Sequence, residues 1–79
     1  MSKHMSLFEI PPGDTATIIE VHGDKILHDR LKALGIRLGT KVTKVSNSFA
    51  RGPVVVQHGQ TQTALGSGIC RKIVLEVPE

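Results

Sequence analysis

The sequence predicts a small, mainly β domain. It should hold about five short strands in a bent antiparallel sheet, one helix inserted after the first strand, and a short helical turn near the C-terminus. Three observations predict this. β-Branched runs recur at Thr15–Val21, Thr40–Val45, Val54–His58 and Ile73–Val77, with glycine, proline, asparagine or aspartate clusters between them. Only the stretch from Asp24 to Leu34 carries a helical apolar period. A domain of this size buries only about 60% of its unfolded surface, so its core is thin. A short bent sheet then hides its edges best by curling into a barrel.

Residues 1–6 show no periodicity and are expected to be disordered, with the domain running from 7 to 77. Pro11-Pro12-Gly13-Asp14 is a turn, because the prolines fix φ and the glycine permits the bend. Thr15–Val21 follows as a strand partly buried on both faces. His22-Gly23-Asp24 breaks it, and Asp24 suits the N-cap of the helix, with Asp29 still near the positive end of its dipole. Leu27, Leu31 and Leu34 recur at i, i+4, i+7, so Leu31 and Leu34 are expected to be largely buried on one stripe.

Gly35 stands where a left-handed C-terminal cap favours a residue without Cβ. Ile36 and Leu38 can fold back on the leucine stripe, and Gly39 allows a turn with positive φ. The next strand, from Thr40, ends near Asn47-Ser48, and Arg51-Gly52-Pro53 turns the chain into Val54–His58. Gly59 breaks that strand, and Gln60–Leu65 forms its hairpin partner. Gly66-Ser67-Gly68 reads as a mobile link into a helical turn over Ile69–Lys72. Ile73–Val77 closes with clean alternation, one face taking Ile73, Leu75 and Val77, before Pro78.

Composition argues against several function classes. The formal charge of +3 is spread along the chain, and Phe8 and Phe49 are the only aromatics. Nucleic-acid binding is not expected, since single-stranded binders stack bases on aromatic side chains. Cys70 stands alone, so there is no disulfide framework, and burial as a structural thiol suits its apolar neighbours Ile69 and Ile73. No apolar run approaches the roughly 20 residues that span a membrane, so direct insertion is not expected. No pair among His4, His22, His28 and His58 has structural-zinc spacing. His22 with Asp24, or His28 with Asp29, offers at most a weak transition-metal site, and no cofactor is required. Ser46, Ser48 and Ser67 lack a nucleophile elbow, and Gly66-Ser67-Gly68 lacks the remainder of a phosphate-binding loop. No catalysis is assigned.

The corner Arg30–Val42 is more specific than its parts. Arg30, Leu31, Leu34, Gly35, Ile36, Gly39 and Val42 follow the pattern R-L-x-x-L-G-I-x-P-G-x-x-V, with Leu38 where proline is usual. The stretch resembles the central signature of the FeoA family, small cytosolic partners of the bacterial ferrous iron transporter. Ile10, Pro12 and Gly13 fit the family's opening, Gly52-Pro53-Val54-Val55-Val56 its G-x-P-V strand, and Ala64-Leu65-Gly66 with Ile73-Val74-Leu75 its close. Ser48-Phe49-Ala50-Arg51 replaces the usual proline-leucine-glycine turn. Together these matches cover Leu7 to Val77.

The resemblance implies a Src-homology-3-like (SH3-like) barrel. It also implies a non-catalytic accessory protein that docks on the cytoplasmic part of a FeoB-type membrane GTPase transporter and supports or regulates iron uptake. Such a protein would be cytoplasmic, recruited to the inner face of the membrane, and a monomer or weak dimer. The alternative is a stand-alone relative of the barrel domain of an iron-dependent transcriptional repressor, binding metal or a peptide segment. Arg30, Arg37, Arg51 and Arg71 each suit an arginine finger for a GTPase partner, as any exposed arginine would.

A partner-binding face is expected at the corner: Arg30, Lys32, Ile36, Arg37, Leu38 and Lys41. The turn Ile36-Arg37-Leu38 should lie near the surface, and Arg30, Lys32, Lys41 and Lys44 should supply positive charge opposite the leucines. The competing account is that Ile36 and Leu38 merely seal the end of the barrel.

Overall fold

The computed structural model describes residues 2–46 and 53–78. The strands are β1 (Ser2–Ser6), β2 (Thr15–Val21), β3 (Lys41–Ser46), β4 (Val54–His58), β5 (Thr61–Leu65) and β6 (Ile73–Pro78). Helix α1 (Lys25–Ala33) lies between β2 and β3, and the short α2 (Ser67–Cys70) between β5 and β6. All six strands join one antiparallel sheet in the order β1-β6-β2-β3-β4-β5. The architecture is mainly β, as expected, with one strand more than expected. The sheet ends at β1 and β5. It bends through register shifts between Ile18 and Glu20 and between Lys44 and Ser46, each of which kinks a strand and increases its twist.

The extra strand is the N-terminal segment, expected to be disordered. Residues Ser2–Ser6 pair with β6, Met5 opposite Leu75 and Lys3 opposite Val77. Pairing satisfies the outer edge of β6 through backbone groups, which carry no side-chain pattern to read. The segment then turns at Ser6, whose backbone N–H donates to Glu9 Oε1 at 3.1 Å while Glu9 N–H donates to Ser6 Oγ at 3.2 Å. The Ser6 backbone N–H, and after it the Ser6 side chain, hold the Glu9 carboxyl below the ordinary carboxylate range.

The core follows the alternation of the strands. Ala16 and Ile18 of β2, Val54 and Val56 of β4, and Ile73 and Leu75 of β6 point inward, joined by Leu7, Ile10, Leu31, Ile36 and Cys70. Cys70 is fully buried, and its thiol lies 3.8 Å from the Leu65 carbonyl oxygen. The Gly66-Ser67-Gly68 segment, read as a mobile link, enters α2 instead, where Cys70 N–H and Ile69 N–H both donate to the Gly66 carbonyl. The Phe49 segment and the turn at Ser48–Gly52 lie outside the described residues.

Candidate functional site

The site is built by the way α1 ends. Asp24 caps the helix, accepting from Leu27 N–H at 2.9 Å. At the other end Gly35 N–H donates to Lys32 O at 2.9 Å and Ile36 N–H to Leu31 O at 2.8 Å. That bond pair is a Schellman cap, and Gly35 takes its left-handed residue at φ +83°. The cap also brings its usual apolar contact, because Leu31 and Ile36 are 1% and 2% exposed. A side chain at Gly35 would in addition meet His58 Cε1 at 3.2 Å. The chain next turns through Arg37-Leu38-Gly39-Thr40. Thr40 N–H donates to Arg37 O at 3.1 Å and Gly39 has φ +89°, the pattern of a type II turn with Leu38 at its second position. Arg37 N–H donates to Thr40 Oγ1, and Gly39 N–H ties the turn to Ile18 O on β2.

Between this corner and α1 lies a pocket of about 330 Å³. Leu31 and Ile36 form its buried floor, Val21 and Leu38 its apolar walls, and His28, Lys32 and Arg37 complete the lining. Leu38 is 66% exposed. Among the described residues no carboxylate lines the pocket. Lys25 pairs with Asp29 and His22 Nε2 lies beside Glu20, so among the described residues Lys32 and Arg37 face the opening without an acidic partner.

Of the residues expected at a docking face, the pocket brings together Lys32, Ile36, Arg37 and Leu38. Arg30 and Lys41 are exposed but do not line it. Three expectations need correction. Ile36 is floor rather than surface, because the Schellman cap folds it onto Leu31. Leu34 is 39% exposed rather than buried, because it is already the C-cap and the inward place passes to Ile36. Lys44 supplies no surface charge: it is 1% exposed and points into the core. The sequence reading did not connect His28 and Val21 with this face. His28 stands four residues before Lys32 on the same side of α1, a spacing that was available as a signal.

Lys44 forms a second polar feature. Its ammonium donates to Phe8 O at 2.8 Å and Ile10 O at 2.9 Å, pinning the loop after β1 to β3. The Phe8 ring lies 5.9 Å from Lys44 Nζ and 4.4 Å from the Arg71 guanidinium carbon, both as cation–π contacts. Burial lowers the Lys44 pKa, and Cys70 acts in the opposite direction. Burial pushes the Cys70 thiol up to about 11, against the influence of Lys44. Cys70 is therefore a protonated structural thiol at neutral pH, not an activated nucleophile.

The side chains considered for a weak metal site do not converge. Asp24 caps α1, Asp29 pairs with Lys25 at 2.9 Å, and His22 Nε2 lies 3.1 Å from Glu20 Oε2. Among the described residues no three of His, Cys, Asp and Glu gather to hold a metal ion.

A family model for the FeoA domain matches residues 5–77. The chain belongs to the FeoA family. No curated protein matches it in sequence. Among solved structures, it is similar to an iron uptake regulatory protein of the FeoA family, with TM-score 0.86 and 21% identity over 95% of this chain and 100% of that one. It is also similar to the FeoA of Stenotrophomonas maltophilia crystallised with zinc, described as a prokaryotic SH3 domain protein. There the TM-score is 0.75 and the identity 29%, covering 90% of this chain and 88% of that one. A manganese-dependent transcriptional repressor superposes with TM-score 0.89 at 19% identity; 99% of this chain spans 44% of that protein. The SH3-like architecture is thus shared between FeoA proteins and repressor domains.

Proposed function

We propose that this FeoA-family chain is a non-catalytic accessory and regulatory protein of ferrous iron uptake. It docks on the cytoplasmic part of a FeoB-type membrane GTPase transporter, through the face formed by Lys32, Ile36, Arg37 and Leu38 with Arg30 and Lys41 beside it. The family supports the iron-uptake role, and a role as a ferrous iron transport activating factor has been put forward for the S. maltophilia relative. The observation that carries the docking face is the pocket itself: an apolar floor, an exposed leucine wall and cations without a carboxylate partner among the described residues. Exposed apolar surface rimmed by polar groups is the usual mark of a protein–protein contact. No helix among the described residues is long and apolar enough to cross a membrane, so recruitment to the membrane's inner face would come through the partner. As a monomer or weak dimer, the chain would offer this face freely.

The test is a binding titration of Arg37→Glu against the transporter's soluble domain at low and moderate salt. Arg37 is exposed, so reversal should leave stability within about 0.5 kcal/mol. Association should slow and its salt dependence change. Unchanged affinity at both salts, with the fold intact, places docking elsewhere.

The likeness to the repressor favours a second reading, a stand-alone relative of a repressor's barrel domain that binds metal or a peptide segment. Titration with manganese or ferrous iron separates the two, since only this reading expects a saturable shift in melting temperature.

A further inference from the structure

We infer that the pocket between α1 and the Arg37–Thr40 turn takes one large apolar side chain carried on an acidic segment of the partner protein. This rests on the docking reading above and specifies the chemistry of the occupant. Three observations point to it. The pocket holds about 330 Å³, the lower end of ligand-site volumes, which suits an anchoring side chain better than an extended cofactor. Its floor and walls, Leu31, Ile36, Val21 and Leu38, are hydrocarbon, so a bare phosphate or a nucleic-acid backbone would leave them unfilled. Its cations, Lys32 and Arg37, have no carboxylate partner among the described residues, so carboxylates flanking the anchor would find charges not already matched.

A second copy of this chain is a poorer occupant. A two-fold contact presents the same patch from both sides, and would set Lys32 and Arg37 against their own counterparts across the interface. Four of this chain's carboxylates are also engaged at home: Glu9 bonds Ser6, Asp24 caps α1, Asp29 pairs with Lys25, and Glu20 lies beside His22. The two-fold clash of like charges is what favours complementary charge from a different partner. An apolar anchor supplies the binding energy and the flanking carboxylates fix its register, the usual division between the core and rim of an interface.

The experiment uses the full chain and short overlapping peptides tiled across the cytosolic sequence of the cognate FeoB-type transporter, with affinities read by fluorescence anisotropy. Binding should be confined to peptides in which Leu, Ile or Phe is flanked by Asp or Glu. Replacing the apolar residue by Ser, or the carboxylates by amides, should each weaken binding by about tenfold or more. Leu38→Asp and Arg37→Glu, both at exposed positions, should weaken the same peptides while keeping the parent's circular dichroism. The inference is overturned if the tightest peptides are neutral or basic, or if both variants bind like the parent. If no peptide binds while the intact soluble domain does, the occupant is a folded surface: the inference falls and the docking reading stands. If acidic peptides bind and the intact domain does not, the docking reading falls and the pocket's preference stands.

Discussion

Leu31 and Leu34 lie three positions apart at the end of one helix, and their truncation should have very different costs. Leucine to alanine deletes three carbons, about 2.4 kcal/mol of transfer free energy at roughly 0.8 kcal/mol each. Leu31 is 1% exposed and packs beneath Ile36, so all of that is lost and a closed cavity remains. Leu31→Ala should therefore cost about 3–4 kcal/mol, within the usual range for buried leucines. Leu34 keeps 39% of its surface in water, so its truncation forfeits only part of the transfer term and leaves an open notch. Leu34→Ala should cost about 1 kcal/mol. A domain of this length has roughly 4–12 kcal/mol of stability in all, so the first substitution removes a large share. Urea titration followed by circular dichroism reads both, with equal slopes as the check that the denatured states match. The melting midpoint of Leu31→Ala should fall by roughly 15–30 °C and that of Leu34→Ala by well under half as much. Equal losses, or a Leu31→Ala loss below about 1 kcal/mol, would refute the assignment of the inward place to Ile36 and Leu31.

Leu38→Pro should be tolerated, and stabilise by about 0.4–1 kcal/mol, since the second position of a type II turn favours proline. Among the described residues Leu38 N–H makes no backbone hydrogen bond to lose; a lower melting midpoint would mean the turn is of another type. Lys44→Met keeps the aliphatic stem but leaves the half-buried Phe8 O and the buried Ile10 O without the ammonium. The expected cost is about 1–3 kcal/mol, the relief of a buried charge offsetting part of it, and an unchanged urea midpoint would show that water replaces the ammonium. For Cys70 the folded pKa is raised from 9.0 to about 11. Its contribution is thus fully present below pH 9 and lost as pH climbs through about 11, by about 2–3 kcal/mol. A Cys70→Ala variant should lack that alkaline loss, measured as the pH dependence of the urea midpoint relative to the parent. Identical slopes would put the thiol in water.

The helix and its two ends were legible because each rests on local chemistry. Asp24 and Gly35 are cap residues for reasons of hydrogen bonding and φ that no distant contact alters. β2, β4 and β6 were legible as β-branched runs bounded by turn residues, with clean apolar alternation in β6. β1 was not, because its strand is imposed by the free edge of β6 and its sequence carries no period. Lys44 shows a different failure. It shares parity with Val42 on β3, so the two-residue period already put it on the inner face. Chemical habit, which keeps lysine in water, argued the other way. What admits it is tertiary: two carbonyls of the loop after β1 converge on that spot, and no local feature of the sequence announces them. Leu34 failed because a stripe at i, i+4, i+7 says nothing about where the helix stops. Once Gly35 reverses the chain, the next inward place belongs to a residue beyond the helix.

That reversal also explains why four of the expected docking residues fall together although Ile36 lies on the buried floor and not at the surface. A Schellman cap forces the residue after the glycine down onto the helix, so Ile36 is committed to the fold. The following turn must then rise away from the core to reach β3, and it lifts Arg37 and Leu38 clear of Ile36. The pocket is the space left beneath that rise, floored by the contact that ends the helix. Ile36 and Leu31 therefore cannot vary without loss of both stability and shape, whereas Arg37, Leu38 and Lys32 contribute little to the core and are free to suit a partner. This separation of duties lets substitutions on the rim report on docking alone, and it makes any change at Gly35, Ile36 or Leu31 uninterpretable as a test of binding.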